Sequence, residues 1–361
     1  MDQQYSEMEN MVVYDDFFKG KRVFLTGHTG FKGSWITLLL KALGAEVTGY
    51  ALSPDQKQNL FDYAGLDKKM CSHIGDIQDF SALKEAMRNA DPEIVIHMAA
   101  QPLVIESYKN PVYTYGTNVM GTVNVLETVR QLPNVAVCLN ITTDKVYKNN
   151  EWLWGYRETD SLGGHDPYSN SKACSELVTQ AYRDSFFTDS NTILATARAG
   201  NVIGGGDWAA NRLVPDFIKS IQSGEQVVIR SPKAVRPWQH VLDCIGGYLH
   251  LIWQLSTSKK LASSYNFGPD NDNIRTVESL IEIVCKAWGN SVSYRIEGND
   301  TFHEAGLLRL DISRTIQELG WQPKWGMEKT VLQLVDWYKG FSEGQDALEL
   351  CLKQIDEFLH H

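Results

Sequence analysis

Two pairs of ionisable residues in this 361-residue chain are spaced for proton chemistry. Tyr168 and Lys172 stand in the phrase YSNSK, and an i, i+4 spacing puts both side chains on one face of a helix. A free tyrosine titrates at about 10, and a neighbouring ammonium lowers that value by favouring phenolate; a shift of about 3 units corresponds to roughly 4 kcal/mol. Such a tyrosine accepts the proton of a hydroxyl while a hydride leaves the carbon that carries it. Upstream, the phrase NITTDKVY sets Thr142, Thr143, Asp144 and Lys145 side by side. Simple redox chemistry needs a hydroxyl there to bind substrate; two adjacent ionisable groups imply additional proton transfers. Lys145 serves as a base only if burial or a nearby cation keeps part of it neutral, since a free lysine titrates at about 10.4. Asp144, as the matching acid, must hold a proton, which calls for desolvation or a neighbouring negative charge.

A hydride needs an acceptor, and RVFLTGHTGFKGSW places Gly27, Gly30 and Gly33 directly between a strand and a helix. In a doubly wound sheet the first glycine permits the tight turn, the next lets backbone approach a pyrophosphate, and the last lets helix pack on strand, while the helix N-terminus attracts the anion. A ribose-binding acid is expected about 20 residues past such a loop, yet the second strand ends Gly49, Tyr50, Ala51, Leu52, Ser53. No cation stands there for an additional phosphate either, Lys57 being the first after the strand, so NAD is expected rather than NADP.

The elements that must position these groups alternate. Strand-length apolar runs occur at Arg22–Thr26, Glu46–Leu52, His73–Ile77, Ile94–Met98, Val135–Ile141 and Thr192–Ala199, separated by helical segments at Trp35–Leu43, Phe80–Asn89, Val112–Gln131 and Tyr168–Phe187. The alternation predicts an α/β fold, a Rossmann-type doubly wound parallel sheet covered on both faces, with a smaller C-terminal substrate-binding lobe. Further helices are expected near Val277–Trp288, Ile312–Leu319 and Lys329–Tyr338. The expected organisation is an N-terminal arm over 1–19 and a dinucleotide-binding domain over 20–200. A segment over about 238–270 returns to that domain, leaving a lobe made of 201–237 and 271–361.

Composition narrows the function class. Hydrophobic residues make up 43% and charged residues 22%, enough core material to set disorder aside. No apolar run approaches the roughly 18 residues that span a bilayer, and the start MDQQYSEMEN has neither a basic flank nor an apolar stretch, so a cytoplasmic location off the membrane is expected. The six cysteines stand at least 36 residues apart, which leaves no local metal-ligand pair and reads as reduced, buried thiols with no metal site. A net charge of −10 argues against a nucleic-acid surface. A local cationic cluster still suits a diphosphate, because charges beyond a Debye length of about 8 Å are screened. Arg230, Lys233 and Arg236 in RSPKAVRPWQHVLD form such a cluster.

In its GxxGxxG spacing the glycine loop resembles that of the extended short-chain dehydrogenase/reductase family. Tyr168 and Lys172, about 140 residues later and beyond a fifth strand, stand where that family carries its catalytic tyrosine and lysine. The resemblance implies NAD held by Gly27, Gly30, Phe31 and Gly33, with adenine beside Asp76 and Ile77. Ala99, Ala100 and Gln101 would lie beside the diphosphate and ribose, and Tyr168 and Lys172 would also touch the cofactor. Within the family, sugar-nucleotide 4-epimerases have small residues where this chain has Asp144 and Lys145. Sugar-nucleotide 4,6-dehydratases carry Thr-Asp-Glu, the hydroxyl binding sugar, Asp acting as acid and Glu as base. Lys145 departs at the third position, and that departure, with GHTGFKGSW, TTDKVY, PYSNSK and RPWQHV, resembles the dehydratases that act on CDP-glucose. A branch acting on UDP-N-acetylglucosamine also carries Asp-Lys, but there the tyrosine follows closely. Here WLWGYRETDSLGGHD intervenes, reads as part of the sugar pocket, and puts Tyr168 24 residues after Asp144.

The same resemblance assigns substrate contacts to Asn201, Arg212, Lys233, Arg236 and Arg309, with Arg236 as the bidentate phosphate clamp. The implied reaction oxidises carbon 4 of CDP-glucose, eliminates water across carbons 5 and 6, and reduces carbon 6, in bacterial 3,6-dideoxysugar and O-antigen synthesis. A homodimer or dimer of dimers is implied, through the helices Val112–Gln131 and Tyr168–Phe187. The alternatives are a 4-epimerase, a dehydratase of another nucleotide sugar, and an NAD-sensing protein without chemistry. His97, inside IVIHMAA, reads as a satisfied core imidazole and His240 as structural; Trp152, Trp154 and Trp208 suit either a sugar roof or aromatic packing.

Overall fold

The computed structural model describes residues 16–210, 212–229, 231–270, 274–289, 292, 294–296 and 307–360, so most of the N-terminal arm and Arg230 lie outside the described residues. Seven short apolar segments pair side by side: β1 (Arg22–Thr26), β2 (Glu46–Ala51), β3 (Cys71–Ile74), β4 (Ile94–His97), β5 (Val137–Ile141), β6 (Ile193–Ala199) and β7 (Ser264–Phe267). They form one sheet in the order β7-β6-β5-β4-β1-β2-β3, and every neighbouring pair is parallel. The strand order reverses between β1 and β4, which makes the crevice beyond their C-terminal ends the ligand position of such a sheet.

Alternate residues of each strand serve opposite faces. Val23 and Leu25 of β1 join a core with Trp35 and Leu39 of α1 (Phe31–Ala42), and Phe24 points into a second core with Leu83 and Met87 of α2 (Phe80–Ala90). The second core also takes Val125 and Val129 of α3 (Gly121–Val129), while α4 (Pro167–Tyr182) packs against the same side. α5 (Val241–Thr257) buries Ile245, Leu249 and Ile252 in the first core. Apart from β7, the strands beyond β6 are short and pair in twos: Asn201–Ile203 with Trp238–His240, Val235–Arg236 with Arg275–Thr276, and Val227–Ile229 with Tyr294–Ile296.

Several elements differ from their expected form. The third strand is Cys71–Ile74 rather than His73–Ile77. Asp76 Oδ1 accepts the Gln78 N–H at 2.9 Å and Asp79 Oδ1 accepts the Ala82 N–H at 3.0 Å, so turn and helix cap outcompete the ladder. The helix expected over Val112–Gln131 begins at Pro111 and passes through a π-turn at Gly116–Met120 before α3. In that turn Asn118 is bound to the Gln101 backbone, accepting its N–H at 2.8 Å and donating to its carbonyl at 3.1 Å. An amphipathic helix over Ala347–His360, absent from the sequence reading, closes the first core with Cys351, Ile355 and Phe358. Among the described residues no helix is long and apolar enough to cross a membrane.

Candidate active site

The glycine loop forms a cradle whose shape requires two of its three glycines. Gly27 has φ +81°, and a Cβ there would stand 2.8 Å from the Ala99 nitrogen; a Cβ on Gly33 would stand 2.0 Å from the Gly27 carbonyl oxygen. Gly30, at the N-cap of α1, would place a Cβ at ordinary van der Waals contact, 3.5 Å from the Gly27 carbonyl oxygen. A backbone bowl open over a helix N-terminus at the switch point fits a dinucleotide diphosphate. Thr26 Oγ1 pins the β4 end of the bowl by accepting the Met98 and Ala99 N–H groups at 3.0 and 3.1 Å. Phe31 is half-buried and packs against the first core, and Ala99 and Ala100 are half-buried after β4. At two of the expected cofactor positions the side chain is engaged within the protein. Ile77 is buried in the second core, under the position a Cβ on Gly121 would take. Gln101 spends its amide on its own loop, Nε2 donating to Leu103 O and Thr114 Oγ1 and Oε1 accepting the Leu103 N–H. These two positions offer a cofactor backbone only, whereas the Asp76 carboxylate is half-exposed beside the turn it caps.

β5 runs out at Ile141, and the chain turns through a 3-10 segment over Asp144–Val146. Thr143 heads that turn: its Oγ1 accepts the Lys145 N–H at 3.4 Å, donates to Asp144 Oδ1 at 2.9 Å and shares a hydrogen bond with the Tyr168 phenol. Asp144 is 1% exposed, and its Oδ2 has no hydrogen-bond partner among the described residues. A Cβ on Gly200, at the end of β6, would stand 3.3 Å from that oxygen, so β6 walls the same pocket. Lys145 is half-buried at its rim. α4 supplies the other pair: Asp166 caps it by accepting the Ser169 N–H at 2.9 Å, Pro167 opens it, and Tyr168 and Lys172 follow one turn apart. Lys172 Nζ donates to the Ile141 carbonyl at 2.9 Å.

Burial reverses the expected titration of the tyrosine. The Tyr168 phenol is pushed up to about 12, chiefly by desolvation; its Thr143 bond and Arg212 oppose this, and Asp144 and Asp166 add to it. Lys172 is brought down to about 8 by burial and then by the nearby Lys32, with Glu176 opposing. The ammonium expected to favour phenolate is itself buried and turned to a backbone carbonyl, which is why the sign differs.

The expected substrate residues are not all gathered. Asn201 follows Gly200 and opens a short strand beside Trp238, next to Asp144. Arg212 is held by Asp207 at 2.9 Å and acts electrostatically on Tyr168, so it belongs to the pocket. Arg236 is 6% exposed, with its guanidinium donating to Val235 O at 3.0 Å. Arg309 is half-buried, its buried Nε without a partner among the described residues, on a segment whose carbonyl takes the Tyr156 N–H at 2.9 Å. Lys233 is exposed on a turn. Lys32 and Asn118 were missed. GFKGSW shows Lys32 plainly, but an ordinary helix lysine looks the same, and Asn118 acquires its place only through Gln101 and Ser171. His97 is the expected satisfied imidazole, between Thr26 Oγ1 at 2.8 Å and Thr122 Oγ1 at 3.2 Å. His240 caps α5 by accepting the Leu242 N–H at 3.2 Å. Trp208 packs in an aromatic cluster with Trp337 and Tyr338, while Trp152 stacks on Tyr156 and leaves Trp154 exposed.

Comparison with known proteins agrees with this geometry. The family model described as GDP-mannose 4,6 dehydratase matches residues 24–334. The CDP-glucose 4,6-dehydratase of Salmonella typhimurium is 48% identical over 350 residues, covering 95% of this chain and 98% of that protein. The Thermus thermophilus UDP-glucose 4-epimerase, solved as a complex with NAD, superposes with TM-score 0.76 at 25% identity, covering 88% of this chain and 99% of that one. The fold is also that of DesIV, a dTDP-glucose 4,6-dehydratase from Streptomyces venezuelae, with TM-score 0.77 at 24% identity over 91% of this chain and 99% of that one. With a glycine cradle at the switch point, a Tyr-Lys pair facing a buried Asp, and a family match across nearly the whole sheet and lobe, the chain belongs to the GDP-mannose 4,6-dehydratase family of extended short-chain dehydrogenases/reductases.

Proposed function

We propose that this protein dehydrates CDP-glucose to CDP-4-keto-6-deoxyglucose and water with NAD as a recycled cofactor, a step toward 3,6-dideoxysugars. The observation that carries the reading is the buried Asp144, one oxygen unpartnered, in a turn hydrogen-bonded to Tyr168; near full-length identity of 48% to a CDP-glucose 4,6-dehydratase supports the substrate. The cradle of Gly27, Gly30 and Gly33 would hold the NAD diphosphate, beside Phe31, Asp76 and the backbone of Ile77, Ala99, Ala100 and Gln101. When bound, NAD supplies a hydride acceptor and donor and, oxidised, one positive charge that opposes desolvation of the Tyr168 phenolate.

This chain's own groups then divide the proton work. Thr143 and Tyr168 bind the carbon 4 hydroxyl, and Tyr168 takes its proton while the Lys172 ammonium, held one turn away by Ile141 O, adds positive charge to the pocket. The resulting ketone acidifies carbon 5, from which Lys145 removes the proton and to which it returns one when carbon 6 is reduced. Asp144 delivers a proton from its unpartnered oxygen to the hydroxyl leaving carbon 6. Asn201, Arg212, Arg236, Arg309 and the exposed Lys233 would hold sugar and diphosphate, the least buried of them contributing least. In this reading 20–200 with about 238–270 binds the cofactor and 201–237 with 271–361 binds the nucleotide sugar, which is supported by β7 returning to the large sheet. Purified protein offered CDP-, dTDP-, UDP- and GDP-glucose is expected to form keto-sugar from CDP-glucose; an epimer instead, or no product from any, would overturn the proposal in favour of an epimerase or an NAD sensor.

We further propose a homodimer or dimer of dimers. Tyr108, Val112 and Met120 on one helical stretch, and Leu177 and Phe186 on the next, are large apolar side chains left about half exposed or more, a face that an isologous four-helix contact would cover. A monomer mass by light scattering at micromolar protein would refute this.

A further inference from the structure

Beneath the site lies a buried ion pair that the proton transfers do not use. Glu176 stands one turn beyond Lys172 on α4 and is 2% exposed; Arg198, on β6, is 3% exposed and donates to it at 2.9 Å. Glu176 Oε1 accepts the Thr142 hydroxyl at 2.5 Å, and its Oε2 accepts Thr196 Oγ1 at 2.8 Å. The other arm of Arg198 donates to Tyr147 Oη at 2.9 Å and to the Glu158 carbonyl at 3.2 Å, while Tyr147 donates to Asn266 Oδ1 at 2.7 Å. The turn that carries Thr143, Asp144 and Lys145 is therefore hung at both ends, Thr142 and Tyr147, on one ion pair.

The same helix reads β5 residue by residue. Tyr168 bonds Thr143, Lys172 bonds Ile141 O, Glu176 bonds Thr142, and Ser175 and Thr179 accept the Asn140 amide at 3.0 and 2.8 Å. A slip of α4 by one residue breaks every one of these contacts together. We propose that Glu176 and Arg198 are positioning residues that lock the register of the Tyr168–Lys172 helix against the Thr143–Lys145 turn, so that oxidation and elimination address the same bound sugar. The inference rests on the dehydratase reading above. Buried ion pairs add little net stability over apolar replacements, whereas misplacing a catalytic group by about 1 Å costs on the order of 100-fold in rate. Geometry is accordingly what this pair contributes. It also contributes charge: Lys172 is faced by Lys32 from α1, by His97 from β4 and by Glu176 from its own helix, and of these Glu176 favours the ammonium.

Three variants separate positioning from mere folding. Thr142→Val removes one contact and no charge, Arg198→Lys keeps the charge but loses the fork to Tyr147 and Glu158, and the double change Glu176→Gln with Arg198→Met leaves no unpaired ion. Each is measured for keto-sugar formation from CDP-glucose and for amide exchange across 142–147 in the cofactor-free protein. All three are expected to exchange faster there and to lose kcat by about 10- to 100-fold with KM changed by less than about threefold. Only the double variant should also move the alkaline limb of its pH profile downward, because only it strips the carboxylate from Lys172. Wild-type kcat and exchange in folded Thr142→Val and Arg198→Lys overturn the proposal, whether or not the double variant folds. If the parent protein forms no keto-sugar the dehydratase reading falls, and the exchange measurement still decides whether the pair holds the turn.

Discussion

The two halves of the site are built differently. Tyr168 and Lys172 sit on a capped helix, both buried, each with its hydrogen-bond partner already in place. In the Thr143–Lys145 turn Asp144 is equally buried but one oxygen waits without a partner, and Lys145 stands half-open at the rim. In the proposed reaction the oxidation half is set before substrate arrives, and the elimination half is completed by it. A buried polar group left unpaired costs about 1 to 3 kcal/mol, and a hydrogen bond between Asp144 and the sugar hydroxyl at carbon 6 removes that cost only in the complex.

The contrast breaks first at Tyr168. Tyr168→Phe is expected to abolish both signals, keto-sugar and transient cofactor reduction on adding CDP-glucose, by about 10⁴-fold at the upper end of general acid–base effects. Asp144→Asn and Lys145→Met should cut keto-sugar by about 10² to 10⁴ while leaving the slow absorbance rise of cofactor reduction intact, since carbon 4 oxidation belongs to the other half. Loss of both signals in these two variants would mean the halves are not separable. A smaller effect sharpens the first half alone. Lys172 is lowered to about 8, so its ammonium is present below that pH and lost above it. The rate kcat/KM should fall with rising pH beyond about 8, approaching tenfold per unit. Lys32→Met should shift that limb upward by less than about one unit, because Lys32 is the cation that helps lower Lys172. A limb unmoved in that variant would show that burial alone sets the value.

What the sequence discloses follows the range of the interactions involved. β1 and the glycine loop lie where the apolar run and the glycines put them, since strand length and turn geometry are local. The third strand slid because an Asp76 turn competes with pairing, and the π-turn at Gly116–Met120 depends on Gln101, a partner the helical pattern does not contain. The direction of the Tyr168 shift was read wrongly for the same reason: the neighbouring lysine is visible as a spacing, while burial and the turn of Nζ toward Ile141 O come from packing. Glu176 and Arg198 stand 22 residues apart and meet only once β6 lies beside α4.

The central claim is that one hydride leaves carbon 4 and returns at carbon 6 of the same sugar, with Asp144 and Lys145 removing water in between. CDP-glucose deuterated at carbon 4, turned over in ordinary water and examined by NMR, tests it directly. The expected product is a keto-sugar carrying the deuterium at carbon 6. Deuterium still at carbon 4, on a sugar inverted there, would contradict it and identify an epimerase.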